Sequence, residues 1–246
     1  MAPGRTDKWT WLPGENKMLF FDPVYFLFVG PAILVSMWAT FVVKSTFARY
    51  TKERTRGGVS GAQAAREILR ANGITDVSVE QVSGFLSDHY DPRKKVLRLS
   101  PDVYSGTTVA AVGVAAHEVG HALQHSQGYA PLAIRSSLVP VASLGSQLSW
   151  ILIVVGFVIK PLLLVGIALF GASVLFSLVT LPVEFNASSR AMVQISTLGL
   201  LSAEEEKGAR KVLSAAAMTY VAAAITAVLT LLYFLHRAGL LGGRNN

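Results

Sequence analysis

Three of the chain's five histidines lie in one short apolar stretch, AAHEVGHALQHSQG, at residues 115–128. His117, His121 and His125 recur every four residues, and Glu118 directly follows the first of them. Because an α-helix turns by about 100° per residue, His117 and His121 are expected one above the other on the same face. Two imidazoles in this arrangement can bind one metal ion, with Glu118 close beside it.

This His-Glu-x-x-His pattern is typical of zinc-dependent peptide hydrolysis. Zinc lowers the pKa of a bound water to about 7, so hydroxide is available near neutral pH. Glu118 would act as general base and then pass the proton to the leaving amine. The alternative is a pair of hydrogen-bonded core histidines, but His117, His121 and Glu118 would then each need a polar partner within an apolar stretch.

The third metal ligand must come from outside this helix. His125 lies about 12 Å from His117 along the helix axis, which is too far for one ion, so we interpret it as a residue beside the site or at an interface. A metzincin would need Gly and His where Gln124 and Gln127 stand. The chain has no cysteine, so the remaining ligand is a histidine or an acid.

Glu184 is the best candidate for that ligand. Downstream of Glu118 the chain has no aspartate and only four glutamates, and Glu204, Glu205 and Glu206 follow Ser202 in the pattern of a helix capping box. Glu184 stands in LPVEFNASSRA, which we expect to begin another helix after Pro182. Its alternative role is that of an acid favoured at a helix N-terminus. The predicted site is two His, one Glu and a water, with one Zn²⁺ per chain.

The composition is that of an integral membrane protein. The chain of 246 residues is 52% hydrophobic and 15% charged, whereas globular proteins average about 25% charged residues. Four apolar spans are each long enough to cross a bilayer, which takes about 20 residues. The predicted segments are a tail at 1–17, span 1 at 18–43, an α+β unit at 44–137, a hairpin of two spans at 138–182, helices at 183–212, and span 4 with a tail at 213–246.

The distribution of basic residues predicts the orientation. The net charge is +7, and five basic residues follow the first span: Lys44, Arg49, Lys52, Arg54 and Arg56. The positive-inside rule therefore places 44–137 and 183–212 in the cytoplasm, and Lys160-Pro161 at a turn on the far side. We expect no nucleic-acid partner, because no aromatic interleaving or recognised motif accompanies the basic cluster.

The 44–137 segment is predicted to be a small α+β unit. VSGAQAAREILRANG indicates a helix with Ser60 as its N-cap and Gly73 just past its end. Alternating valines from Val77 to Val82 and the segment KVLRLS indicate strands, with DPRK as a turn and a further strand around FLSDHYD. A long apolar helix over 107–127 carries the histidines and ends at Gly128.

Together, HEVGHALQ, DHYDPRKKVLRLSPDVY and LPVEFNASSRA closely resemble the YugP-like membrane zinc metallopeptidases, over nearly the whole chain from Met18. More distantly the chain resembles the HtpX-like gluzincins. The resemblance implies His117, His121 and Glu184 as zinc ligands and Glu118 as base. It also implies a bacterial plasma-membrane protease that acts on membrane-associated or misfolded polypeptides. HtpX-like proteases place an aspartate where Ser188 stands, so Asn186 or a backbone carbonyl is the expected partner of a zinc histidine.

Gluzincins also place a His, Tyr or Arg beside the oxyanion. Arg190 is the favoured candidate because it lies nearly two helical turns past Glu184, and the others are His89, Tyr90 and Tyr129. An exposed strand edge around FLSDHYD would let a peptide add in extended form.

Other functions remain open. A non-catalytic membrane scaffold with structural zinc is the main alternative, although structural zinc usually has four protein ligands. A transporter would be expected to carry ionisable residues inside its spans. The purely apolar segment before the motif is too short to span a bilayer, so we expect cleavage at or just above the cytoplasmic interface rather than within the membrane. Homo-oligomers and a regulatory membrane partner are both open.

Overall fold

The computed structural model describes residues 22–241. The predicted N-terminal tail at 1–17 and the predicted start of span 1 lie outside the described residues. The described chain forms helices α1 (Pro23–Tyr50) and α2 (Gly61–Ala71), strands β1 (Ser78–Gln81), β2 (His89–Asp91) and β3 (Val96–Leu99), and helices α3 (Pro101–Tyr104), α4 (Val109–Ser126), α5 (Ala130–Gly156), α6 (Lys160–Thr197) and α7 (Ala203–Arg237).

Four of these helices, α1, α5, α6 and α7, are long and apolar enough to cross a membrane. Large apolar side chains such as Leu27, Phe41, Leu144 and Leu164 stay largely exposed on these helices. Such exposure suits contact with acyl chains rather than water. The predicted fold class, a mainly α membrane protein with four spans and a small α+β unit, is therefore confirmed.

Helix α6 corrects one sequence prediction. A new helix was expected after Pro182, but α6 runs unbroken from Lys160 to Thr197 with Pro182 inside it. Proline removes one backbone hydrogen bond, and long membrane helices tolerate this because packing and local adjustment compensate. Helix α5 likewise begins at Ala130, so both helices of the predicted hairpin extend beyond the boundaries at 138 and 182. The apolar run is divided close to the predicted position: residues 157–159 form the turn, and Lys160-Pro161 begin α6 instead of forming the turn themselves.

The segment between α1 and α5 contains the predicted α+β unit. Ser60 and Gln63 form a capping box at the start of α2, as the sequence predicts. The strand order is β1-β3-β2, with β1 parallel and β2 antiparallel to β3. The Asp91 carboxylate accepts hydrogen bonds from the backbone N–H groups of Arg93 and Lys94, which closes the predicted turn between β2 and β3.

Helix α4 forms the centre of the molecule. Thr108 caps its N-terminus, and Gly128, with φ of 63°, lets the chain leave its C-terminus towards α5. It packs against α2, α3 and strands β2 and β3 of the α+β unit, and also against the long helices α6 and α7. The motif helix therefore joins the α+β unit to the long apolar helices.

A close crossing of α4 and α6 depends on Gly120. A Cβ atom at Gly120 would overlap the carbonyl oxygen of Ala187 on α6, whereas Gly171, also on α6, has open space around it. The absence of a side chain at Gly120 therefore sets how near the motif helix comes to α6.

We predict that Gly120→Ala lowers the thermal midpoint of the detergent-solubilised protein by roughly 2–12 °C, because the added methyl group forces the helices apart. The matched control is Gly171→Ala, which should leave the midpoint unchanged or slightly higher, since alanine favours helix over glycine. Equal midpoints for the two variants would contradict the close crossing.

Candidate metal centre

Side chains of α4 and α6 converge at one point. His117 and His121 lie one turn apart on α4, and Glu184 faces them from α6. The Glu184 Oε2 atom lies 3.2 Å from His117 Nε2 and 3.6 Å from His121 Nε2. One ligand atom from each of the three residues lies within 4.8 Å of the other two. The structure thus brings together the three residues that the sequence predicts as ligands.

The spacing of these atoms fits zinc. Ligands at about 2.0–2.1 Å from a tetrahedral ion are separated by about 3.3 Å, and the two carboxylate–imidazole distances lie on either side of that value. The donors are also the N and O atoms that zinc accepts. Glu184 is only 2% exposed, so its charge needs a cationic partner at this position. These three side chains could therefore hold a zinc ion.

The other nitrogen of each imidazole also has a partner. His117 Nδ1 lies 3.1 Å from the Ser188 hydroxyl, and His121 Nδ1 lies 3.0 Å from Gln124 Oε1. The sequence prediction of Asn186 or a backbone carbonyl as the partner of a zinc histidine is therefore wrong: Ser188 and Gln124 take this role, and Asn186 contacts Gln124 instead. Hydrogen bonds of this kind fix which nitrogen faces the metal.

The buried Gln124 determines the tautomer of His121. Its amide Nε2 donates to the Val183 carbonyl at 2.8 Å and to Asn186 Oδ1 at 3.0 Å. The Gln124 Oε1 atom is therefore left to accept, and His121 Nδ1 must donate to it. Because Nδ1 is used by this hydrogen bond, Nε2, which faces Glu184 at 3.6 Å, is the His121 nitrogen available to a metal ion.

Arg190 does not reach the cleft. Its Nε donates to Asn186 Oδ1 at 2.7 Å, its Nη1 donates to Gln127, and its guanidinium stacks on Tyr129. Arg190 thus supports His121 through Asn186 and Gln124, instead of facing the reacting atoms as the sequence prediction has it. Tyr129, another candidate for that role, also lies at this outer position.

A cleft of about 360 Å³ opens beside the three converging side chains. Glu118 lines this cleft together with His117 and His121. Two of the sequence candidates, His89 and Tyr90, also line it, because strand β2 forms one wall. β2 pairs with β3 on one side only, so its other side is an edge of the sheet.

Two cleft residues were missed by sequence reasoning. Arg135 of α5 places its Nη1 atom 3.2 Å from Glu184 Oε1, and Tyr220 of α7 lines the same cleft. Arg135 stands inside the predicted α+β segment, and Tyr220 stands within a predicted span. The only signal available was a polar side chain near the boundary of an apolar segment, and this signal is shared by many residues that face lipid headgroups.

His125 and the glutamates at 204–206 have roles outside this centre. The Tyr90 hydroxyl lies 2.8 Å from His125 Nδ1, which agrees with the expected place of His125 beside the site. Glu205 accepts from the backbone N–H groups of Ser202 and Arg56, each at 2.7 Å. Glu205 therefore caps α7, as the sequence predicts.

Several pKa shifts describe the electrostatics around the cleft. Burial opposes protonation of His121, but hydrogen bonding to Glu184 and the charge of Glu118 outweigh it and raise the pKa of His121. The site thus favours positive charge between these groups. Burial raises the pKa of Asp88 despite its hydrogen bonds from Ser100, and burial raises the pKa of Tyr90 to about 12. The Tyr90 phenol therefore stays protonated at neutral pH and can donate to His125.

Comparison with known proteins identifies the family. The sequence model of a family described as "Putative neutral zinc metallopeptidase" matches residues 25–239. The "Putative membrane protease YugP" of Bacillus subtilis (strain 168) is 50% identical over 212 residues, which cover 85% of this chain and 94% of that protein. No solved structure matches the chain. Because the family model covers most of the chain and a close relative shares half of the aligned residues, the protein belongs to this family of membrane zinc metallopeptidases.

Proposed function

We propose that this protein is an active endopeptidase that hydrolyses membrane-associated or misfolded polypeptides at the cytoplasmic face of the plasma membrane. The observation that carries the proposal is the convergence of His117, His121 and Glu184 in a cleft that Glu118 also lines. In this proposal His117, His121 and Glu184 bind one zinc ion per chain.

Each side chain then has a defined task in hydrolysis. A bound zinc ion supplies positive charge that polarises the scissile carbonyl and lowers the pKa of water to about 7. Glu118 accepts the proton of the attacking water and returns it to the leaving amine. Ser188 and Gln124 hold the two imidazoles in orientation through their Nδ1 atoms. The edge of β2 offers backbone groups on which an extended substrate can align.

Arg135, and not Arg190, stabilises the oxyanion in this proposal. Its guanidinium lines the cleft and lies beside Glu184, so its positive charge is close to where the oxyanion develops. Arg190, held by Asn186 and Gln127, acts instead on the position of His121. In this assignment Arg135 faces substrate and Arg190 is a positioning residue.

The basic residues after α1 support the cytoplasmic orientation. Lys44 and Arg49 lie near the C-terminal end of α1 and Lys52 lies just after it, and positive residues prefer the cytoplasmic side. Three of the elements that form the cleft, α5, α6 and α7, continue into apolar segments. We therefore place the cleft where these helices emerge from the bilayer, within reach of polypeptides at the membrane surface.

We predict that Glu118→Gln binds zinc but loses cleavage, because the amide keeps the shape of the side chain and cannot accept a proton. Removing a general base costs about 10²–10⁴-fold in rate. The measurement is hydrolysis of a labelled unfolded polypeptide by the detergent-solubilised protein, with zinc content determined by elemental analysis. Full activity in this variant would show that Glu118 is not the general base, whereas no cleavage by the unaltered, zinc-loaded protein would favour the alternative of a non-catalytic scaffold.

We predict that Glu184→Ala lowers the zinc content from one ion per chain to well below that value, since it removes one of three protein ligands. Glu205→Ala is the matched control, because Glu205 caps α7 away from the cleft and should leave the zinc content unchanged. Zinc retained in full by Glu184→Ala would show that another residue supplies the third ligand.

We predict that Arg135→Gln lowers kcat by about 10²–10³-fold, the usual cost of losing a group that stabilises the oxyanion. Arg190→Gln should lower zinc affinity, by about 10–100-fold at most, because it acts through the partners of a ligand. Steady-state kinetics at saturating zinc separate the two effects. An equal or larger kcat loss in Arg190→Gln under these conditions would return the oxyanion role to Arg190.

A further inference from the structure

A second concave surface lies between α1 and α7, away from the cleft. This groove has a volume of about 760 Å³ and shares no lining residue with the cleft. Its shape depends on Gly208, where a Cβ atom would lie 2.7 Å from the ring of Tyr50. The ring of Tyr50 therefore packs directly on the α7 backbone and forms part of the groove wall.

The groove changes from basic to apolar along its length. Arg49 and Lys211 line the end near the start of α7, and Val42 and Met218 line the other end. On α1 Arg49 lies seven residues after Val42, and on α7 Met218 lies seven residues after Lys211. Each separation corresponds to about 10 Å of helix. Hydroxyl groups of Ser45 and Ser214 lie between these ends. The change is therefore spread over a distance somewhat longer than the interfacial region of one leaflet, which is about 5–8 Å thick.

The basic end has more positive charge than its neighbours neutralise. Arg49 pairs with Glu53 at 3.4 Å, and Lys207 pairs with Glu204 at 2.8 Å. Arg210 and Lys211 also line the groove, and neither makes an ion pair with any residue in 22–241. Two positive charges are thus available to an anion at the membrane-surface end of the groove.

We propose that this groove binds an anionic diacyl phospholipid, with the headgroup phosphate on Arg210 and Lys211 and an acyl chain along Val42 and Met218. Basic pockets between membrane helices are suited to anionic headgroups, each Lys or Arg contributing to the attraction. The hydroxyl groups of Ser45 and Ser214 lie where the ester and glycerol oxygens of the lipid would be placed. This proposal does not depend on the peptidase activity.

The polarity gradient distinguishes a lipid from the other anions. A free phosphate would use only the basic end and would leave the apolar end without a partner. A zwitterionic lipid would bring a positive group towards Arg210 and Lys211. This would be unfavourable, because the nearby acids are already paired with Arg49 and Lys207 and the end of the groove carries excess positive charge. An anionic lipid satisfies both ends of the groove at once.

The test uses the full chain, purified in detergent and then titrated with phosphatidylglycerol, phosphatidylcholine or inorganic phosphate. Bound lipid is counted by native mass spectrometry, and stabilisation is followed by thermal unfolding. We expect phosphatidylglycerol to bind and to raise the midpoint, with little effect from the other two. The double variant Arg210→Gln/Lys211→Gln should weaken phosphatidylglycerol binding by about thirtyfold.

A charge-matched control is Lys44→Gln/Lys52→Gln, which removes two positive charges from the same end of α1 without touching the groove lining. It should retain most of the binding, as should the charge-conserving swap Arg210→Lys/Lys211→Arg. If Arg210→Gln/Lys211→Gln and Lys44→Gln/Lys52→Gln weaken phosphatidylglycerol binding equally, the lipid is attracted by the overall positive charge and the proposal is overturned. Equal effects of phosphatidylcholine or of inorganic phosphate would overturn it as well. Loss of binding in the charge-conserving swap would attribute the effect to altered folding and would also reject the proposal.

Discussion

The structure depends above all on placing the Glu184 carboxylate, almost out of contact with water, against two imidazoles of another helix. A buried carboxylate costs several kcal/mol unless positive or hydrogen-bonding groups surround it. Here His117, His121 and Arg135 surround it, and a metal ion would complete the compensation. This arrangement is possible only because Gly120 lets α4 approach the backbone of α6.

The position of the centre is tied to the apolar helices. Glu184 stands on α6, Arg135 on α5 and Tyr220 on α7, and each of these helices has an apolar segment long enough to span a membrane. Because a continuous helix transmits position rigidly along its length, packing among the spans sets the relative placement of cleft side chains. The α+β unit contributes the opposite wall through β2. The candidate site is thus formed jointly by the spans and the α+β unit and does not belong to a separable domain.

Much of this arrangement was readable from the sequence, for reasons that are local. The four-residue spacing of His117 and His121, the capping box at Ser60 and the turn at Asp91 depend on neighbours in the chain, and each has a characteristic pattern. Glu184 was reachable by elimination, because few acids follow Glu118. The helix boundary at Pro182 was wrong, because proline signals a break in water but is tolerated inside a packed membrane helix.

The partners of the ligands were not readable, because they depend on the rotation of one helix against another. Arg135 and Arg190 are both basic residues near the ends of apolar segments, and nothing in their local sequence states which faces the cleft. In the sequence, Gln124 is notable only because it departs from the metzincin pattern. In the structure, its hydrogen bonds determine the tautomer of His121. Such contacts join residues about sixty positions apart, and only the packed structure specifies them.

Helix α7 links the two concave surfaces while keeping them apart. Met218 lines the groove and Tyr220 lines the cleft. Residues two positions apart on an α-helix are rotated by about 200°, so these two side chains point in nearly opposite directions. A lipid in the groove therefore contacts the opposite side of α7 from a substrate in the cleft, and the two ligands need not compete for space. Any influence of the lipid on hydrolysis would act through the position of α7, and hence of Tyr220. Because the groove and the cluster of His117, His121 and Glu184 share no residue, we expect zinc content to report on the metal centre independently of lipid occupancy.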